Sequence, residues 1–413
     1  MALIIQKYGG TSVGTTDRIK NVAARVKKAR ACGDDIIVVV SAMSGETNRL
    51  IGLAEEVAGN PDGREFDTVV STGEQVTIGL LAMALAEIDC PATSLTGWQI
   101  PIETEGFFNA ARVKAISGKR IKAEFEKGRV VIVAGFQGVS ACGDIMTLGR
   151  GGSDTTAVAL AAALKADLCE IYTDVDGVFT TDPGVCRDAR KLQKISYDEM
   201  LEMASLGAKV LQTRSVEFAK KYKVPLMVRS SFNDSLGTMV SEEDQDMEKV
   251  MVSGITYNKN EAKISVVRVP DRPGIAARLF RPLTESGVNV DMIVQNISHD
   301  SYTDLTFTVA KGDYKKAIEL VKSEAKEFEA QDVLGDTEIA KISIVGAGMR
   351  SHAGVASKMF ETLAAADINV QMISTSEIKV SCVIDEAKTE EAVRILHDAF
   401  ELGKDDIEEE ELV

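Results

Sequence analysis

Two glycine turns, each carrying one cation, and a small set of carboxylates hold the chemistry this sequence offers. Lys7 stands at the lip of Gly9-Gly10-Thr11-Ser12, and Arg150 lies inside Leu148-Gly-Arg-Gly-Gly-Ser-Asp-Thr-Thr156. In the second stretch three glycines in four residues let the backbone approach a ligand closely. A glycine turn that opens a helix is also an anion site, because unpaired N–H groups and the positive end of the dipole point outward. Alone, such a stretch is equally a surface turn with an Arg on it. Its companions decide: Lys7, Glu74, Asp154 and the hydroxyl-rich acidic loop that follows Leu168-Cys-Glu-Ile-Tyr-Thr173.

Together these groups suit phosphoryl transfer, which is mostly positioning plus neutralisation of charge on the moving group. Lys7 and the N–H groups of Gly9 and Gly10 would hold a γ-phosphate. Asp154 would orient Lys7 or reach Mg2+, which prefers carboxylate and phosphate oxygens; no metal is expected to be held by protein side chains alone. There is no Gly-x-x-x-x-Gly-Lys-Ser/Thr, His-Arg-Asp or Asp-Phe-Gly set, so the common ATP-binding folds are poor candidates. The three histidines (His299, His352, His397) all lie in the last third of the chain, which removes Ser-His and Cys-His hydrolase schemes near Arg150. A carboxylate acceptor, with a pKa near ~4, needs no such base at pH 7. Arg150 and Glu74 then pair naturally on an amino-acid substrate, one facing its carboxylate and one its ammonium group.

The elements that position these groups alternate. Residues 3–8 and 35–40 read as buried strands, 17–31 as a helix with Ile19, Val22, Val26 and Ala29 at helical spacing. Strands at 91–95, 129–133, 168–173 and 224–229 and helices at 76–88, 154–165 and 197–206 extend the pattern to a mainly parallel sheet covered on both faces. Ligands bind such sheets at the carboxyl ends of the strands, where Lys7, Ser41 and Thr47 fall. Ser71 and Glu74 have capping-box spacing, so a purely local role for Glu74 is to cap the helix that follows.

The remaining chain repeats itself. Ile264-Ser-Val-Val recurs 78 residues later as Ile342-Ser-Ile-Val, and Gly274, Phe280, Leu283, Asn289, Val290 and Met292 recur 80 residues later. Each copy reads as a βαββαβ ferredoxin-like module, so the tail is a domain duplication. At 413 residues several domains are expected. Six scattered cysteines fit a reducing cytoplasm, and a net charge of −16 argues against nucleic acid or an anionic membrane as partner. No run reaches the ~18 apolar residues of a membrane span, and the start carries no export signal.

Lys7-Tyr-Gly-Gly-Thr-Ser-Val, Ser71-Thr-Gly-Glu-Gln-Val, Gly149-Arg-Gly-Gly-Ser-Asp-Thr-Thr-Ala and Tyr172-Thr-Asp-Val-Asp-Gly-Val-Phe-Thr-Thr-Asp-Pro resemble the ordered signatures of the aspartokinases. The duplicated tail resembles that family's tandem ACT domains, so the likeness spans nearly the whole chain. It implies a three-layer α/β/α amino-acid kinase domain over 1–240, an acidic linker at 241–249, and a first ACT domain over 264–335. A second ACT domain is then assembled from 250–263 plus 336–403, with an acidic tail at 404–413. It further implies transfer of the ATP γ-phosphoryl group to the β-carboxylate of L-aspartate, with Mg2+, ahead of lysine, threonine, methionine and diaminopimelate synthesis.

By position the resemblance makes Lys7 and Asp154 catalytic. Thr47, Glu74, Arg150, Gly151, Gly152 and Ser153 would hold aspartate. Lys7, Tyr8, Gly9, Gly10, Ser41, Thr173, Asp174, Phe179, Asp182, Lys209 and Val210 would line the nucleotide site. Asp271, Arg272, Pro273, Gly274, Ile275, Asn289, Val290, Asp291, Gln295, Asn369, Val370, Ser376 and Glu377 would contact lysine or threonine as feedback effectors. ACT pairing would build a homo-oligomer. Gly184 departs from the Arg that many members carry there. Rival readings are a member acting on glutamate, N-acetylglutamate or a nucleotide, and a catalytically dead amino-acid sensor. The Ser71–Gln75 motif and the twin modules oppose the first; retention of Lys7, Glu74, Arg150 and Asp154 opposes the second.

Overall fold

Short apolar runs separated by helical periods give the first part of the chain a sheet buried on both faces. The computed structural model describes residues 2–208, 210–243, 251–296, 301–350, 352 and 354–404. It divides into two compact units, Met1–Val178 with Lys191–Ala204 and Lys209–Met247, and Phe179–Arg190 with Ser205–Ala208 and Glu248–Val413.

The first unit begins β1 (Leu3–Tyr8), α1 (Thr16–Ala31), β2 (Asp35–Val40), α2 (Glu46–Val57), α3 (Gly63–Val70), α4 (Thr72–Glu87) and β3 (Ala92–Leu95). It continues through β4 (Ile102–Glu105), β5 (Arg112–Ile116), α5 (Lys119–Phe125), β6 (Val130–Ala134), β7 (Gln137–Val139), β8 (Ile145–Thr147), α6 (Gly152–Leu164) and β9 (Leu168–Thr173). It closes with β10 (Lys194–Ser196), α7 (Tyr197–Ser205), α8 (Thr213–Tyr222), β11 (Leu226–Ser230) and β12 (Thr238–Ser241). The main sheet runs β10-β12-β11-β9-β1-β2-β6-β3, with β1 parallel to both β2 and β9. Side chains alternate across it. Tyr8, Val38 and Val40 pack with Ile19, Val22 and Val26 of α1 and with Leu81 and Leu85 of α4, while Lys7 faces α6 on the opposite side. The result is a three-layer α/β/α sandwich.

A second sheet, β5-β4-β7-β8, was not anticipated. Its strands are three to five residues long, too short for their periodicity to stand out. The capping box is also absent. The α3 helix runs almost directly into α4, the Ser71 hydroxyl bonds the Thr68 carbonyl, and Glu74 reaches Ala42 instead. Residues Gly63–Glu87 are apolar and long enough, by length and composition alone, to cross a membrane; 44% of the most apolar window is buried in this fold.

In the second unit β13 (Gly254–Pro270), α9 (Ile275–Glu285), β14 (Val290–Gln295), β15 (Tyr302–Ala310) and α10 (Tyr314–Glu327) precede β16 (Asp332–Val345). The second copy then supplies α11 (Val355–Ala365), β17 (Met372–Thr375), β18 (Lys379–Asp385) and α12 (Thr389–Ala399). The two modules share one antiparallel sheet, β14-β15-β13-β16-β18-β17. The long central strands run through both modules: Gly254–Asn258 of β13 pairs with Lys341–Val345, and Lys263–Val267 pairs with Asp332–Asp336. The first module keeps four strands of its own, Lys263–Val267, β14, β15 and Asp332–Asp336, whereas the second adds Gly254–Asn258, from ahead of the first, to Lys341–Val345, β17 and β18.

Phe179–Arg190 and Ser205–Ala208, which the sequence reading placed inside the kinase domain, belong to this second unit. The Thr180 carbonyl accepts the Ile255 N–H (2.7 Å), its hydroxyl meets His397 Nε2 (3.0 Å), and the Tyr257 hydroxyl donates to Asp182 (2.9 Å). These partners lie 75 to 217 residues away, beyond any local pattern. Of the acidic linker and tail, residues 244–249 and 405–413 lie outside the described residues.

Candidate active site

The carboxyl ends of β1, β2, β6 and β9 build the site in the first unit. Beyond β1 the chain turns at Gly9 and Gly10: the Gly9 N–H donates to the Tyr172 carbonyl (3.3 Å), and the Ala42 carbonyl lies 3.0 Å from where a Gly10 side chain would begin. Two strand ends are thereby drawn against this turn, and a methyl group at Gly10 would push Ala42 away. Lys7, 8% exposed, projects from β1 to Asp154 in the first turn of α6, with Nζ 2.5 Å from Oδ1. The ion pair stands where the helix start, the glycine turn and the sheet meet, so added negative charge would be received by Lys7 and by backbone dipoles together.

Glu74, 3% exposed, lies in the first turn of α4. Its Oε1 accepts the Ala42 N–H (3.0 Å), whereas Oε2 is buried with no hydrogen-bond partner among the described residues. Burial pushes this carboxyl up to about 7, against the opposing pull of the Ala42 N–H. A buried carboxylate oxygen without a donor is a place prepared for a cation.

Arg150 is exposed, and among the described residues its side chain makes no ion pair or hydrogen bond. Its place comes from the backbone alone. Gly149 (φ +74°) and Gly151 (φ +69°) flank it in the left-handed region, and a side chain on Gly151 would overlap Gln212 at 2.1 Å. Gly152 differs from the expectation that it faces substrate: its N–H is satisfied by the Gly149 carbonyl (3.0 Å), and a side chain there would strike Phe136. It is a packing glycine. Ser153 lies buried against Gly135.

The other expected nucleotide residues divide. Ser41 follows β2, its N–H on the Tyr8 carbonyl (3.1 Å), and half-buried Thr47 lies in the first turn of α2. Thr173 ends β9 with Asp174 exposed beside it. Tyr8 is corrected: its ring is fully buried and stacked on Tyr172 (4.6 Å between centroids), and its carbonyl is occupied, so it belongs to the core. Val210 lies in the first unit, Phe179 and Asp182 in the second, and Lys209 outside the described residues.

The expected effector residues fall in the second unit at corresponding places of the two copies. Asp271, Arg272, Pro273 and Gly274 form the exposed turn into α9, with Ile275 buried at its start; Asn289 precedes β14, which Val290 and Asp291 begin and Gln295 ends. Asn369 and Val370 precede β17, with Ser376 and Glu377 in the turn after it. Asp291 is already committed: Lys341, buried between strands, pairs with both it and Glu261.

The Amino acid kinase family pattern matches residues 2–230, and ACT domain patterns match 264–326 and 342–400. The chain is 60% identical to the aspartokinase of Pseudomonas aeruginosa over 404 residues, covering 97% of this chain and 98% of that one. It is 52% identical to the aspartokinase of Helicobacter pylori, covering 97% and 100%. Among solved structures it is similar to E. coli aspartokinase III in complex with aspartate and ADP, with TM-score 0.79, 25% identity, and 96% and 99% coverage. Aspartate kinase from Synechocystis gives TM-score 0.55 at 47% identity, covering 97% and 70%. A chain this alike over nearly its full length belongs to the aspartokinases of the amino acid kinase family.

Proposed function

We propose that this aspartate kinase joins the γ-phosphoryl group of ATP to the β-carboxylate of L-aspartate at the Lys7–Asp154 pair, with Glu74 and Arg150 fixing the amino acid. The observation that carries the reading is the prepared cation place at Glu74 in the same strand-end site as the Lys7–Asp154 pair. The related E. coli enzyme, solved with aspartate and ADP, supports the same two ligands here. A β-carboxylate oxygen attacks Pγ, the Pγ–O bond to ADP breaks, and the leaving oxygen keeps the electron pair. No proton need move, which suits a site built without histidine.

Lys7 and the Gly9–Gly10 turn receive the phosphates, Asp154 holds Lys7 in line, Arg150 takes the α-carboxylate of aspartate and Glu74 its ammonium group. Mg2+ prefers carboxylate and phosphate oxygens, and the carboxylates at these strand ends would suit an ion carried by the nucleotide. Asp154 and Asp174 are the carboxylates that would reach it, and the ion would neutralise phosphate charge. The Ser71–Gln75 motif and ACT pair favour aspartate over glutamate. Lysine or threonine, singly or together, would act through the ACT modules by binding one of two conformations better. The wider reading is a cytoplasmic homo-oligomer, paired through its ACT modules, that opens lysine, threonine, methionine and diaminopimelate synthesis.

ATP- and Mg2+-dependent acyl phosphate, trapped as the hydroxamate with hydroxylamine, is the expected product with aspartate. Equal turnover with glutamate would sink the substrate assignment. In the same assay Arg150→Ala should raise the aspartate KM and lower kcat, reducing kcat/KM by about a hundredfold while the ATP KM stays near wild type. A raised ATP KM instead would move Arg150 to the nucleotide.

A further inference from the structure

Arg150 has no partner among the described residues to hold it, so something else must set the loop that carries it. Two side chains from distant helices do so. Asp67 of α3 is fully buried, and its carboxylate accepts the Thr147 N–H and hydroxyl (both 2.7 Å) and the Asn109 N–H on both oxygens (3.1 and 2.9 Å). Arg214 of α8 forks across the same two segments: Nη1 donates to the Leu148 carbonyl (2.7 Å) and Nη2 to the Ala111 carbonyl (2.6 Å). The segments are also joined directly, Ala111 N–H to the Thr147 carbonyl (3.0 Å), and the Asn109 carbonyl lies 2.8 Å from the place a Gly149 side chain would occupy. Gln212, two residues before Arg214, closes on Gly151.

We infer that Arg214 and Asp67 are positioning residues for aspartate binding: together they clamp the strand that ends in Leu148 and so aim Arg150. The inference rests on Arg150 as the partner of the substrate carboxylate. Two left-handed glycines around Arg150 leave the loop many alternatives, and a fork on the carbonyl immediately before Gly149 removes most of them. Neither clamp is a local device. Asp67 reaches residues 42 and 80 positions away, and Arg214 reaches 66 and 103. Arg214 also carries a cost: burial and the nearby Arg112 both disfavour its charge, while its two hydrogen bonds go to neutral carbonyls. A charge kept there against that cost is explained by the loop that it holds.

The test is steady-state kinetics with aspartate and ATP varied separately. Arg214→Met should raise the aspartate KM about tenfold and leave the ATP KM within about twofold, since a full ångström of misplacement costs about a hundredfold and a loosened loop less. Arg214→Lys, able to reach one carbonyl but not both, should fall between, and Asp67→Asn should shift the same KM if Arg214→Met does not fold. Because Arg214 acts through Arg150, Arg150→Ala with Arg214→Met should bind aspartate no worse than Arg150→Ala alone. Additive effects, or parallel changes in both KM values, overturn the clamp. An Arg150→Ala enzyme with unchanged aspartate KM sinks the reading of Arg150 and the clamp with it. A raised KM in Arg150→Ala but not in the Arg214 and Asp67 variants sinks the clamp alone.

Discussion

Lys7→Ala should lower kcat by about a thousandfold or more, equivalent to roughly 4 kcal/mol of transition-state stabilisation. Lys7 is the cation at the glycine turn, it is almost fully buried, and it lies 2.5 Å from a carboxylate that fixes its direction. Phosphoryl transfer spreads negative charge over the equatorial oxygens of the moving group, and a positioned ammonium in a site shielded from water is worth most there. Alanine also leaves Asp154 buried without its counter-charge, which costs about 3–5 kcal/mol of stability when a buried pair is broken. The two effects separate in a double variant. Lys7→Ala with Asp154→Ala should recover most of the lost melting temperature and none of the activity. Initial rates and thermal melts on the three variants settle it, and a Lys7→Ala enzyme keeping a tenth of wild-type kcat would remove Lys7 from the mechanism.

Glu74 offers the second large effect, visible as pH dependence. Its carboxyl is pushed up to about 7 by burial, so near neutral pH about half of the free enzyme holds a proton where the substrate ammonium needs a charge. The kcat/KM for aspartate should therefore fall about tenfold per unit as pH drops below about 7. Glu74→Gln should bind aspartate about a hundredfold more weakly and lose that dependence. Stability moves the other way. A folded pKa above the unfolded 4.5 means that the native state holds a proton the unfolded chain has released, so this group's contribution is present below about 4.5 and lost as pH rises through about 7. The loss is on the order of 3 kcal/mol. Glu74→Gln should thus melt higher than wild type at pH 8 and alike near pH 4.5. Identical pH profiles for the two proteins would show that Glu74 is not the group that titrates.

Much of this was legible in the chain because it depends on neighbours in sequence. Strand ends, the turns at Gly9 and Gly149, the helix after Gly151 and the duplicated tail follow from alternation, helical spacing, backbone freedom and recurrence. The order of the four motifs was enough to indicate the kinase family. Glu74 shows the limit of local reading: its spacing from Ser71 spelled a cap, yet α3 and α4 run together and the side chain turns to a strand end 32 residues earlier.

Tertiary structure alone decided the rest, because the deciding partners are far apart in sequence. The elevated pKa of Glu74 is a property of the volume around it, not of the residues beside it. The continuity of β13 and β16 through both modules merges them into one sheet, and Phe179–Arg190 joins the second unit through hydrogen bonds to Ile255, Tyr257 and His397. Tyr8 and Gly152 sit inside binding motifs but serve packing, since alternation along β1 turns Tyr8 inward and Phe136 closes over Gly152. Residue order alone names the groups that would meet a phosphate and an amino acid. Folding decided which way each one points, through Asp67, Arg214 and Gln212, whose spacing carries no signal because the segments they join are brought together only by the sheet.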